Sequence, residues 1–415
     1  MQSIFNRIVF SFIAGFISLS ASACNQKIVD EPELFDNFDP FTTEECRIRD
    51  GLPNFFEKIK NGSEPVKIVF LGGSITNANN GWRDKILSRF KQQYPSKNFI
   101  GINAAISGTG SGFGACRLEA DVLHHSPDLI FVEFRANGGE GVEKPSVESI
   151  VRQTWRTDQS IDICFVYTVT ESMRENILSG KNTSFGTVME QVANHYGIPS
   201  IDLGIDILEK ERNGQLIFKS DVPVEGKILF SKDGSHPLEE GHNIYADIIE
   251  RNFITISGSS QLTQNRLKKS LFSGSWDTGK LISIDETVKS AGWQLVDVVN
   301  DPVYTRDKVR SNNMLRGAVK CNKAGETITV TWEGTTLGLN DITENGEVII
   351  EIEIDGKSPV TLKRTQNNLK TLYARNIFLA ALPQGNHVAK LTVKSLPEGE
   401  NYYVGQFMVG GVIEN

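Results

Sequence analysis

The chain has 415 residues, of which 39% are hydrophobic and 23% charged. This is the composition of a globular protein with material for two or three domains, and it excludes disordered, fibrous and short-repeat classes. Lys and Arg total 43 against 51 Asp and Glu, a net charge of −8, which lacks the overall electrostatic footprint of a general nucleic-acid binder.

The chain opens with Arg7 and an apolar stretch from Ile8 to Leu19, relieved by Ser11, Gly15 and Ser18. That is shorter than the ~20 apolar residues needed to span a hydrocarbon core. Ala21-Ser22-Ala23 follows as a small-residue cleavage signal, so residues 1–23 read as an export signal peptide. Cys24, next in line, also fits a bacterial lipobox. This predicts a lipoprotein of the periplasm or outer membrane of a Gram-negative bacterium, with the membrane as a partner through the lipid; plain secretion is the alternative. Residues 24–45 carry Asp30, Glu31, Glu33, Asp36 and Asp39 and read as an acidic tether.

From 46 to 255 short apolar runs alternate with helical periods. The runs are Lys67–Gly72, Phe99–Asn103, Asp128–Phe134, Ile161–Thr168 and Ile198–Leu203. Their nearly continuous apolar character predicts parallel strands covered on both faces. Between them Ile86, Leu87, Phe90 and Tyr94 form one helical stripe, and Val147, Ile150, Val151 and Trp155 a second. Val188, Val192 and Tyr196 form a third, closed by Gly197 as a C-cap. Such βα alternation implies an α/β domain whose ligand crevice lies beyond the carboxyl ends of its strands.

The polar stretch 256–269 reads as a linker. From 270 to 415 the helical stripes give way to alternating β-branched runs at Thr327–Trp332, Glu347–Ile354 and Ala389–Val393. Turn signals at Asp355-Gly356 and Gly385-Asn386 complete the pattern of an antiparallel β-sandwich. Cys46, Cys116, Cys164 and Cys321 are widely spread and define neither a zinc site nor a disulfide pairing.

The chemistry-bearing residues fall after the strands. The first strand runs into Gly72-Gly73-Ser74-Ile75-Thr76, a glycine turn that presents a serine at the sheet edge. The second leads to the loop Asn103–Gly110, rich in small residues with backbone N–H groups able to donate, and the third to Arg135-Ala136-Asn137-Gly138. Late in the domain stands Asp233-Gly234-Ser235-His236-Pro237. A serine needs a base to become a nucleophile, the base needs an orienting acid, and an oxyanion needs donors.

In their order Ser74, Gly108, Asn137 and Asp233…His236, these motifs resemble the SGNH hydrolase superfamily, the GDSL-type esterases. The stretches GGSIT, FGACRLEADVL, PDLIFVEF and DGSHP…GH look like a branch that often accompanies polysaccharide processing. The resemblance covers about residues 48–250 and implies a three-layer α/β/α flavodoxin-like domain with a five-stranded parallel sheet. It implies Ser74 as nucleophile, His236 as base and Asp233 as its orienter. The backbone N–H groups of Ser74 and Gly108 and the Asn137 amide would form the oxyanion hole. It calls for no metal or cofactor. Two positions depart from the superfamily pattern: Gly72-Gly73-Ser74 replaces Gly-Asp-Ser, and Asn137-Gly138 replaces Asn-Asp.

Other residues carry paired readings. Trp82 is a candidate for stacking on a sugar or a packing residue. Arg135 is a candidate cationic contact to an acidic sugar or a strand-end salt bridge. Arg117, Glu119 and Asp121 read as a solvated or structural charge face, and His242 competes with His236 as base. Trp276, Trp293, Trp332, Tyr402 and Tyr403 belong to the core or to a glycan platform. The expected function is a serine esterase removing O-acyl, chiefly O-acetyl, groups from a carbohydrate. The alternatives are a lipid or thioester hydrolase with the same site, and a non-catalytic glycan-binding lipoprotein.

Overall fold

The computed structural model describes residues 38–62, 65–259, 263–297, 299–302, 314–366, 374–379 and 381–413. The export signal, Cys24 and most of the acidic tether lie outside the described residues. In chain order the first part comprises β1 (Cys46–Arg47), α1 (Pro53–Asn61), β2 (Val66–Gly72), α2 (Ser74–Asn77), α3 (Trp82–Gln93), β3 (Phe99–Asn103), α4 (Ser111–Cys116) and α5 (Leu118–Asp121). It continues with β4 (Leu129–Glu133), α6 (Glu143–Thr157), β5 (Asp162–Tyr167), α7 (Arg174–Leu178), α8 (Ser184–Tyr196), β6 (Ser200–Asp202), α9 (Leu203–Arg212), β7 (Leu216–Lys219), β8 (Ile228–Ser231) and α10 (Glu239–Ser257).

The sheet order is β1-β6-β5-β4-β2-β3, with β2 to β6 parallel. These are the five expected parallel strands, and β1 joins the β6 edge antiparallel as a sixth. A two-residue strand carries no periodicity from which it could be read. Every residue of β4 and β5 is buried, because helices cover both faces. On one face Phe70, Phe131 and Val166 pack with Phe55, Phe90 and Phe253 from α1, α3 and α10. On the other, Val69, Val132 and Phe165 pack with Phe113, Val151 and Val192 from α4, α6 and α8. α8 stops at Gly197, whose φ of +76° suits the left-handed cap.

The second part is antiparallel: β9 (Thr278–Ile282), β10 (Val288–Lys289), β11 (Gln294–Leu295), β12 (Val319–Cys321), β13 (Thr327–Gly334), β14 (Thr336–Thr343), β15 (Gly346–Ile354), β16 (Val360–Gln366), β17 (Arg375–Phe378), β18 (Gly385–Ser395) and β19 (Tyr402–Gly411). One sheet runs β10-β13-β18-β15-β16; the other runs β11-β12-β19-β14-β17, with β9 also on β19. The core between them includes Ile328, Val330, Leu339, Ile350, Leu391 and Phe407.

β19 is buried along its whole length. Tyr402, Val404, Phe407 and Val409 face the core between the sheets, whereas Tyr403 and Met408 join the core that α4, α6 and α8 share. The α/β domain thus lies on the second sheet as a further layer. Trp276, Trp293, Trp332, Tyr402 and Tyr403 are all buried; they pack the core and present no glycan platform.

Polar contacts also seal this junction. Glu148 on α6 accepts from the backbone N–H of Leu271 and Phe272 at 2.5 and 3.0 Å, and from the Ser275 hydroxyl. Asp277 accepts from Arg152 at 2.6 Å and Arg156 at 3.1 Å, and from Ile413 N–H at 3.0 Å. The stretch read as a linker is largely docked: α10 extends through Ser257, Asn265 donates to Asp162 at 2.8 Å, and Leu267 is buried. At the start of the described chain, Glu45 accepts from Asp202 N–H at 2.8 Å and pairs with Arg251, which holds residues 38–45 against the same domain. Among the described residues no helix is long and apolar enough to cross a membrane.

Replacing Asp277 with Ala leaves two guanidinium groups facing a buried site without their carboxylate. The expected loss is about 3–5 kcal/mol in chemical denaturation. Lys394→Ala, which breaks a half-exposed pair with Glu351, should cost under about 1 kcal/mol. Equal effects would contradict a charge-sealed junction.

Candidate active site

The site forms where β2, β3 and β4 end. Gly73 lies so close to Asn137 that a Cβ there would sit 2.0 Å from its Oδ1. Its φ of −96° is open to any residue, so the requirement is for space. In this backbone a side chain at 73 would occupy the place of the Asn137 amide. Behind the turn, Glu133 is buried and accepts from the hydroxyls of Thr76 at 2.9 Å and Thr168 at 2.7 Å. Burial pushes its carboxyl up, against those hydrogen bonds.

Ser74 begins α2. Its Oγ is 2.8 Å from His236 Nε2, and His236 Nδ1 is 2.6 Å from Asp233 Oδ2. A carboxylate only accepts, so Nδ1 carries the proton and Nε2 presents its lone pair to the serine O–H. Partial desolvation opposes ionisation of Asp233. The His236 N–H, the His236 ring, the Ser235 N–H and the Ser231 hydroxyl outweigh it and hold the carboxyl well below the usual carboxylate range. The two N–H groups and the hydroxyl lie 2.8, 2.8 and 3.0 Å from Oδ1. Gly234, at φ +82°, permits the tight turn that aims all of them at one carboxylate.

Gly108, at φ +72°, turns the loop after β3, and Thr109 pins it by donating to Ile106 O at 2.8 Å. The Asn137 turn is joined to this loop: Ser111 N–H donates to Gly138 O at 3.0 Å. Glu140 reinforces the junction, accepting from Gly110 N–H at 3.0 Å and Phe113 N–H at 2.7 Å. A carboxylate therefore braces this turn although position 138 is Gly. Beside Gly138 a cleft of about 830 Å³ opens between the two parts of the chain, with Lys144, Phe185, Thr336 and Leu382 in its walls.

The structure brings Ser74, Gly108, Asn137, Asp233 and His236 to one sheet edge and removes two other candidates. Trp82 is fully buried, edge-on to Phe70 and Phe131, and cannot stack on a sugar. Arg135 is buried; its Nη1 and Nη2 donate to Asp202 at 2.5 and 2.6 Å, and its Nε donates to Thr168 O at 2.9 Å. Its guanidinium ties the ends of β4, β5 and β6 together and reaches no substrate. Arg117 is likewise buried, donating to Ala104 O and Asp121. His242 is no base for Ser74: it is buried, and its Nδ1 accepts from Trp82 N–H at 3.2 Å. Glu133, Glu140 and Glu148 brace the site and the junction, roles that the sequence alone does not assign. The signals were present: an acid inside the apolar run DLIFVEF, one among the glycines of Gly138–Gly141, and one on the buried face of α6.

No family model matches the sequence, and no curated protein matches it. Solved structures do match. A two-domain esterase described as active on acetylated mannans is 19% identical, with a TM-score of 0.73 over 91% of this chain and 99% of that one. The same kind of esterase co-crystallised with mannopentaose aligns with a TM-score of 0.69 over 87% and 94% of the two chains, again at 19% identity. The chain thus shares the fold of a two-domain esterase across both of its parts.

The pKa of His242 is pushed from 6.5 down to about 4, by burial first and then by Lys85 and His236, with Asp84 opposing. The unfolded chain therefore takes up this proton first as pH falls. The stability tied to neutral His242 is complete above about pH 6.5 and is lost as pH falls through about 4. Urea midpoints of wild type should drop across that window more steeply than those of His242→Asn, which retains an acceptor near the Nδ1 position. Parallel profiles would contradict the assignment.

Proposed function

We propose that the chain is a serine esterase of SGNH type that removes O-acetyl groups from a carbohydrate. The observation that carries this reading is the continuous relay from Ser74 Oγ through His236 to Asp233, at 2.8 and 2.6 Å. His236 Nε2 takes the serine proton as Oγ attacks the acetyl carbonyl carbon. Asp233 fixes the tautomer and stabilises the imidazolium that forms. The backbone N–H groups of Ser74 and Gly108 and the Asn137 amide receive the developing oxyanion. Collapse of the tetrahedral species releases the sugar oxygen, which takes the proton from His236 and leaves acetyl-Ser74. Water, deprotonated by the same imidazole, then frees acetate and restores the serine.

The carbohydrate substrate is supported by the shared two-domain fold of an esterase active on acetylated mannans and by the cleft between the two parts, which begins beside the oxyanion turn. The signal sequence and Cys24 support an exported, lipid-anchored enzyme that meets polymeric substrate outside the cytoplasm.

Wild type should release acetate from acetylated mannan or another acetylated polysaccharide, and Ser74→Ala should lower the rate at least ~10³-fold with folding intact. Gly73→Ala, which displaces Asn137, should lower kcat by roughly 10²-fold, as loss of one oxyanion donor does. Folded wild type that releases no acetate from any such glycan would overturn the substrate class. Turnover retained by Ser74→Ala would overturn the mechanism.

A further inference from the structure

We propose that the β-sandwich is part of the catalytic apparatus, with Asn376 as a positioning residue that fixes the oxyanion loop through Glu140. The inference rests on the esterase reading above and assigns the second part of the chain a role in the chemical step, apart from any glycan contact.

The geometry is a relay of hydrogen bonds. Gln406 N–H on β19 donates to Asn340 Oδ1 at 2.9 Å, and Asn340 Nδ2 donates to Asn376 Oδ1 at 2.9 Å. Asn340 is completely buried, so its amide orientation is set within the sandwich. Asn376 Nδ2 then crosses to the α/β domain and donates to Glu140 Oε1 at 2.7 Å. The same Oε1 accepts from Gly110 N–H, and Oε2 accepts from Phe113 N–H. Gly110 is two residues from the oxyanion donor Gly108, and Glu140 is three from Asn137. One carboxylate thereby joins both oxyanion loops and takes its third hydrogen bond from the other domain.

The packing leaves this carboxylate little freedom. Glu140 itself holds a left-handed φ of +60°, a conformation that a non-glycine residue keeps when its surroundings fix it. A Cβ on Gly112 would lie 2.7 Å from the Phe378 ring and 2.8 Å from Glu140 Oε2. α4, β17 and the Glu140 carboxylate are therefore in direct contact, and a shift of β17 would be transmitted to the loop. Oxyanion stabilisation depends on donors held in place before the reaction, and small displacements are costly.

The test compares wild type, Asn376→Asp, Glu140→Gln and the double variant on phenyl acetate, an ester too small to need the sandwich for binding. Asn376→Asp sets a second carboxylate against Glu140, and kcat should fall about 10-fold with KM within twofold. That is less than the ~10²–10³-fold loss of an oxyanion donor. Because Asn376 acts through Glu140, the double variant should be no slower than Glu140→Gln alone. Asn376→Ser serves if Asn376→Asp folds poorly, and should give a smaller loss in the same parameter. Amide hydrogen exchange over Ser107–Cys116 should accelerate in the Asn376 variants, a readout independent of turnover. Unchanged kcat, additive losses or unchanged exchange in folded variants would overturn the proposal. If wild type cleaves neither phenyl acetate nor an acetylated glycan, the esterase reading falls, and the exchange arm still decides whether the sandwich holds the loop.

Discussion

Loops that converge on one sheet edge must satisfy their backbone N–H groups, and in this chain carboxylates do so at the decisive points. Asp233 gathers the N–H groups of Ser235 and His236 while it orients the imidazole. Glu140 gathers those of Gly110 and Phe113. Glu133 takes the hydroxyls of Thr76 and Thr168 behind the Ser74 turn. Each acid holds several donors in fixed positions, Glu133 in the interior and Asp233 at an exposed rim. The result is a serine, an imidazole and a set of donors already in position, and such preorganisation is the main route by which a protein stabilises developing charge.

The same constraint explains the small residues around the site. Gly73 leaves room for the Asn137 amide, and Gly112 leaves room for both Phe378 and Glu140. Neither is needed for an unusual dihedral angle; both permit close approach. The two parts of the chain also share one core, since β19 contributes Tyr403 and Met408 to the α/β side and Phe407 and Val409 to the sandwich. The sandwich is consequently a structural layer laid against the α/β domain.

The parallel strands and the long helices were legible because both obey simple periods, and the motifs of the candidate site were legible because they stand directly after strands. β14 and β19 were not. Thr336–Thr343 and Tyr402–Gly411 are buried on both faces, so they lack the alternation that marked their neighbours β13 and β15. Trp82 and Arg135 looked available from sequence, yet one fills the space under Phe70 and the other neutralises Asp202. Sequence position near a nucleophile does not reveal which way a side chain turns. Glu140 is not legible in the sequence because its partners lie at 110, 113 and 376, and only folding brings them together.

The central claim is that Ser74 is a nucleophile activated by His236 and Asp233. Its most direct test is covalent: treat the protein with a fluorophosphonate and map the adduct by mass spectrometry, with His236→Ala alongside. The account predicts a single adduct on Ser74 in wild type, formed far more slowly when His236 is absent. Labelling at another serine, or equal labelling of Ser74 in both proteins, would contradict it.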